Sequence, residues 1–270
     1  MAEVTVSTGN LISYHDSGSG TPILFLHSFG HNKNLWFPQL THFVELGYRV
    51  IAPDMPGHGD SSFDPDNHTV DAIGRMYGEF LDQLGIGKAI VAGISIGGYI
   101  ALRMWARRPE QISALVMICS KAEADSDEIK NRRRVQIENI QKNGLENFVI
   151  TGAPKRVAPN TAKQRPWVVD WIKMMNFTVS AEANAATLEA MAIKEDDTKT
   201  LQTIDVPALI LSGSDDIFIP KDSPHNLNDG IADSVHYVIQ DAGHVASLEN
   251  PTEVNQYIEE FLNSLKRGAT

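Results

Sequence analysis

The sequence predicts an α/β fold, a mostly parallel central sheet with helices on both faces and a helical cap inserted before the last strands. Three observations predict it. Short, wholly apolar segments such as PILFLHS at 22–28 and KAIVAG at 88–93 alternate with amphipathic stretches of helical length, which is the pattern of parallel strands buried on both faces. The alternation stops at residues 121–200, where no strand pattern occurs, and resumes at VPALILSG, 206–213. A chain of 270 residues with 42% hydrophobic content suffices for one large domain and a small insertion.

Taken in order, VTVSTG and LISYHDSG read as two strands joined by a turn at Gly9-Asn10, followed by a Gly-Ser-Gly loop at 18–20. PILFLHS is a strand, Asn34 to Leu46 a helix, YRVIAPD a strand, and Thr69 to Leu84 a helix closed by Gly85. KAIVAG, the helix from Gly98 to Arg107, and ISALVMIC continue the alternation. Residues 121–200 read as several helices separated by Gly152, Pro154, Pro159 and Pro166. The strands VPALILSG and SVHYVIQ and a helix after Pro251 complete the chain. The expected division is a core domain of 1–120 and 201–270 and a cap of 121–200. A cap in that position lies over the carboxyl ends of the strands and closes an apolar pocket there.

Composition narrows the function. A net charge of -11 argues against nucleic acid as a partner. The basic cluster Lys130, Arg132, Arg133 and Arg134 is interrupted by Asp127, Glu128 and Glu138 and reads as a solvated helix face. Cys119 is the single cysteine, so no intrachain disulfide forms, and its place at the end of ISALVMIC reads as buried core. Neither a signal peptide nor a membrane-spanning run is visible, so a cytoplasmic protein without a membrane partner is expected. Neither a metal-ligand cluster nor a phosphate loop occurs, so no cofactor and no metal are expected. The oligomeric state is not legible.

The chemistry centres on Gly93-Ile94-Ser95-Ile96-Gly97, a serine between two glycines where a strand hands over to a helix. That is the pattern of a nucleophile elbow, a strained turn on which glycines remove the Cβ atoms that would collide with neighbouring elements. A serine hydroxyl needs a base. His244, in the loop after SVHYVIQ, can reach the carboxyl edge of the sheet; His27 is its rival but reads better as a structural residue of its turn. The base needs a carboxylate, and Asp215 or Asp216 after VPALILSG could serve. The oxyanion requires backbone donors, for which the amides of Ile96 and Phe29 are the candidates.

Together these residues resemble the α/β-hydrolase superfamily along almost the whole chain. His27-Ser28-Phe29-Gly30 is similar to its His-Gly-x-Pro oxyanion segment, with Ser28 for glycine and Gly30 for proline. Asp54 to Ser61 is similar to its D-x-P-G-x-G-x-S loop, Gly213-Ser214-Asp215-Asp216 to its G-x-x-D, and Gly243-His244 to its Gly-His. The third of these selects Asp216 as the acid. Ser120 to Asp127, the arginines after it, and Glu189 to Ala192 most resemble small bacterial carboxylesterases and 3-oxoadipate enol-lactonases. Related dehalogenases and epoxide hydrolases use an aspartate where this chain has Ser95.

The resemblance implies a carboxylesterase acting on small, fairly apolar esters. An enol-lactonase with the same residues and a ligand-hydrolysing signalling receptor are the alternatives. Trp167, Trp171 and Met175 in the cap are candidates for lining the pocket, against the plain reading that their helix face packs on the core.

Overall fold

The computed structural model describes residues 2–268. Among them, eight strands form one sheet in the order β1-β2-β4-β3-β5-β6-β7-β8. The strands are β1 (Ala2–Thr5), β2 (Leu11–Ser17), β3 (Pro22–Leu26), β4 (Arg49–Pro53), β5 (Ala89–Ile94), β6 (Ile112–Ile118), β7 (Ala208–Gly213) and β8 (Ser234–Ile239). Strand β2 runs antiparallel to β1 and β4, and all other neighbours are parallel.

Between the strands lie α1 (Phe37–Glu45), α2 (Val70–Gln83) and α3 (Ile96–Arg107). After β6 come α4 (Asp127–Gly152), α5 (Pro159–Gln164), α6 (Pro166–Asn176), α7 (Ala181–Ala192) and α8 (Thr198–Leu201), with no strand among them. Helix α9 (Ser223–Gly230) precedes β8, and α10 (Ala246–Glu249) and α11 (Pro251–Gly268) follow it. The helix expected from Asn34 opens instead as a 3-10 turn at Lys33–Trp36, because the Asn32 side chain accepts the Asn34 amide and starts the turn early. Local signals set other ends. Thr69 caps α2 by accepting the Ala72 amide at 3.1 Å, and Gly85, at φ 66°, ends that segment in a conformation that favours glycine. Gly144, at φ 83° and ψ 161°, breaks α4.

Alternate residues of the central strands β3 to β7 enter opposite cores, as a period of two requires. Leu24, Leu26, Val91 and Leu115 pack against α2 and α3, together with Phe148 of α4 and Leu188 and Met191 of α7. Ile23, Phe25, Ile90, Ala92 and Val116 pack against α1 and α11, and with them Val168, Ile172 and Met175 of α6.

The chain leaves β3 for β4 on one side and returns to β5 on the other. The loops after β3 and β5 therefore diverge at the carboxyl edge, the switch point where open α/β sheets form their crevice.

Candidate active site

Ser95 sits in that crevice, between β5 and α3, at φ 55° and ψ -119°. Such a conformation is strained for a residue with a side chain and persists only where the surroundings enforce it. Here they do. The Ser95 amide donates to Ile118 O at 2.9 Å, and Ser120 Oγ donates to Ser95 O at 2.9 Å. The glycines are required by contact: a Cβ on Gly93 would lie 2.3 Å from Gly97 C, one on Gly97 2.1 Å from Leu26 O, and one on Gly98 2.2 Å from Ser120 Oγ.

The structure brings Ser95, His244 and Asp216 into one hydrogen-bonded chain. Ser95 Oγ and His244 Nε2 are 2.9 Å apart, as are His244 Nδ1 and Asp216 Oδ2. Asp216 Oδ1 accepts the amides of Phe218 at 2.8 Å and Ile219 at 3.3 Å. Burial alone would push the Asp216 carboxyl up, but the His244 imidazole and these two amides together hold it below the usual carboxylate range. Asp215 is exposed and accepts only the hydroxyl of Ser214 beside it.

Ile96 opens α3, where first-turn amides have no intrahelical acceptor and the helix dipole favours negative charge. Phe29 lies on the loop after β3, with its ring on the cavity that holds Ser95 and His244. His27 is fully buried and spans two loops: Nδ1 donates to Ser28 O, and Nε2 accepts the Met55 amide at 2.8 Å. Its two ring nitrogens are thus engaged away from Ser95, and burial pushes its pKa down to about 4. Gly30 stands at φ 70°, a value closed to the proline of the related segment.

The cavity, of about 50 Å³ and open to solvent, lies between Phe29, Ser95, Tyr99, Leu188, Phe218 and His244. Three expectations change here. Trp167, Trp171 and Met175 do not line it. The face carrying Trp167, Trp171, Met174 and Phe177 is turned outward, with Trp167 58% exposed, while Met175 lies in the core with Val168 and Ile172. Helix α6 is apolar on most sides, so its pattern does not fix which side is buried. The basic stretch of α4 is no simple solvated face, since Arg132 and Arg133 reach the cavity, Arg133 held by Asp125 Oδ2 at 2.5 Å. The lining is therefore mixed rather than apolar.

Arg156 was missed by sequence reasoning. It follows α4 in a 3-10 turn, Ala153–Arg156, and joins three parts of the site. Its carbonyl accepts the His244 amide at 2.9 Å, its Nη1 donates to Phe29 O at 2.6 Å, and its side chain lines the cavity. Next to it, Glu249 accepts the amides of Ala158 at 2.7 Å and Gly243 at 2.8 Å, clamping the His244 loop to the segment that leads into α5. No motif marks Arg156 in APKRV, because its contacts are with residues about ninety to one hundred and thirty positions away.

Among the described residues, no helix is long and apolar enough to cross a membrane. A thermophilic esterase from Thermogutta terrifontis, solved with malate bound, superposes with a TM-score of 0.91 at 29% identity, covering 97% of this chain and 98% of that one. The 3-oxoadipate enol-lactonase 2 of Acinetobacter baylyi is 27% identical over 88% of this chain and 86% of its own. A non-heme haloperoxidase of Rhodococcus erythropolis is 30% identical over 82% of this chain and 84% of its own. The family model for the alpha/beta hydrolase fold matches residues 21–251, and the chain belongs to that family.

Proposed function

We propose that the protein is a serine carboxylesterase of small substrates, with Ser95 as nucleophile, His244 as general base and acid, and Asp216 as the carboxylate that orients His244. The observation that carries this reading is the hydrogen-bonded chain from Asp216 through His244 to Ser95, with both links at 2.9 Å. Ser95 Oγ attacks the ester carbonyl as His244 Nε2 takes its proton, and the amides of Ile96 and Phe29 receive the charge that develops on the carbonyl oxygen. His244 passes the proton to the leaving alcohol, which departs and leaves the acyl group on Ser95. A water then attacks the acyl carbon, giving its proton to His244, which passes it to Ser95 Oγ as the acyl–oxygen bond breaks and the free acid leaves. Asp216 remains ionised throughout and stabilises the imidazolium.

The same steps open a lactone, and the likeness to an enol-lactonase favours that second reading. The test uses p-nitrophenyl acetate and butyrate beside a panel of lactones, together with a fluorophosphonate probe. Turnover with labelling of Ser95 supports the proposal. Neither turnover of any ester or lactone nor labelling of Ser95 in folded protein would overturn it, and lactone turnover far above ester turnover would select the second reading.

A further inference from the structure

Arg156 is a buried cation without a counter-ion. It is 8% exposed, and among the described residues it has no carboxylate partner. Its only hydrogen bond as a side chain is the one to Phe29 O, and its guanidinium lies over the Phe29 ring, 5.0 Å from the centroid. Most other buried cations are paired, Lys33 with Asp54 and Asp60, Arg103 with Glu195 and Asp197, and Lys121 with Asp125. Lys194, whose Nζ donates only to the carbonyls of Ala122 and Glu195, also has no acid partner among the described residues, but it does not line the cavity that holds Ser95.

Burial pushes the Arg156 guanidinium down to about 10 with no acid drawing it back, which still leaves it protonated at neutral pH. Holding an unpaired charge away from water is costly, and folds tolerate it where a ligand completes the pair. Gly30, on the loop after β3, leaves space for the side chains packed there: a Cβ would collide with Asn176 at 2.3 Å and meet Arg156 Nη2 at 3.5 Å, an ordinary contact distance. Arg156 lines the cavity shared with Ser95 and His244, as do the exposed Arg132 and the Asp125-bound Arg133.

We infer that Arg156 binds a carboxylate of the substrate, so that the preferred substrate is an ester or lactone carrying a free carboxylate in addition to the scissile carbonyl. This rests on the reading of Ser95 as nucleophile and specifies the substrate class of that site. A guanidinium offers a planar fork of donors that matches a carboxylate, and one arm is already fixed by Phe29 O, which orients the rest.

The test compares charged and neutral substrates of equal shape in the full-length protein. For the acyl half, the pair is the p-nitrophenyl monoester of glutarate and its methyl-capped form. For the alcohol half, the pair is the acetyl ester of γ-hydroxybutyrate and its amide. The wild type is expected to favour the charged member of at least one pair by about tenfold or more in kcat/KM, mainly through KM. Arg156→Gln is expected to lower that preference by on the order of 10- to 100-fold, and Arg156→Lys to retain part of it. Any disturbance of the Phe29 loop affects both members of a pair alike, so the ratio isolates the carboxylate contact.

Wild type that turns over the neutral esters without preferring either charged member overturns this inference and leaves the esterase reading intact. A preference that survives Arg156→Gln also overturns it. Should that variant fail to fold, inhibition of the wild type decides: glutarate competing with the neutral ester while glutaramide does not supports the carboxylate site, and equal effects overturn it. Absence of all ester and lactone turnover with Ser95 unlabelled is the separate failure of the underlying reading.

Discussion

Replacing Asp216 by asparagine tests the proposed mechanism at its most specific point. Asp216 Oδ1 accepts two backbone amides, from Phe218 and Ile219, while Oδ2 faces His244 Nδ1 at 2.9 Å. In asparagine the carbonyl oxygen keeps the two amide donors, which places the NH2 group against Nδ1. Nδ1 must then accept, so the imidazole proton moves to Nε2, 2.9 Å from Ser95 Oγ, and Nε2 loses the lone pair that takes the serine proton. The amide also carries no charge to stabilise an imidazolium. The expected loss in kcat is on the order of 10⁴-fold, equivalent to about 5 kcal/mol of barrier, with the fold retained because the amide hydrogen bonds survive. Asp215→Asn, at an exposed position bonded only to the Ser214 hydroxyl, is expected to change kcat by a few-fold at most. Steady-state hydrolysis of p-nitrophenyl acetate by both variants, with circular dichroism to confirm folding, measures the comparison. A larger loss at Asp215 than at Asp216, or a loss below about tenfold in folded Asp216→Asn, refutes the tautomer argument.

Ser95→Ala should lose roughly a million-fold in kcat and all fluorophosphonate labelling; wild-type kinetics would end the proposal. Gly97→Ala should destabilise the protein by on the order of 3 kcal/mol in urea titration, because its Cβ would meet Leu26 O at 2.1 Å, and a change under about 0.5 kcal/mol would contradict the packing described. His27 is held down to about 4 from an ordinary 6.5 by burial, so the unfolded chain binds a proton that the folded one refuses in that window. Its contribution is complete above about pH 6.5 and falls as the pH drops towards 4; His27→Gln should flatten this part of the profile by about 2 kcal/mol near pH 5, measured as urea midpoints. Activity towards neutral p-nitrophenyl esters should fall from acetate and butyrate to octanoate, since the cavity is small, about 50 Å³; a rise towards octanoate would show that the helices over Ser95 yield far more than this structure indicates.

The sheet and the elbow were legible because they are written locally. Strands buried on both faces read as unbroken apolar runs, and Gly93, Gly97 and Gly98 announce a turn on which no Cβ fits. The order of Ser95, Asp216 and His244 could be read against a family pattern, and each sits just past the carboxyl end of a strand, where the topology brings distant loops together. Helix α6 was misread because both of its faces are apolar: Val168, Ile172 and Met175 face the core, while Trp167, Trp171 and Met174 face outward.

Element type, strand alternation and the strained turn follow from backbone sterics and side-chain period, which act over a few residues and so leave their mark in the string of letters. The partners of charged side chains do not. Arg133 and Arg156 differ in the presence of Asp125 beside one and of no acid beside the other, a difference made by how α4 and the turn after it fold over the sheet. Coulomb attraction and desolvation depend on separation and burial in space, so which arginine is neutralised and which is left facing Ser95 is decided only by how α4 and the turn after it pack against the rest of the fold.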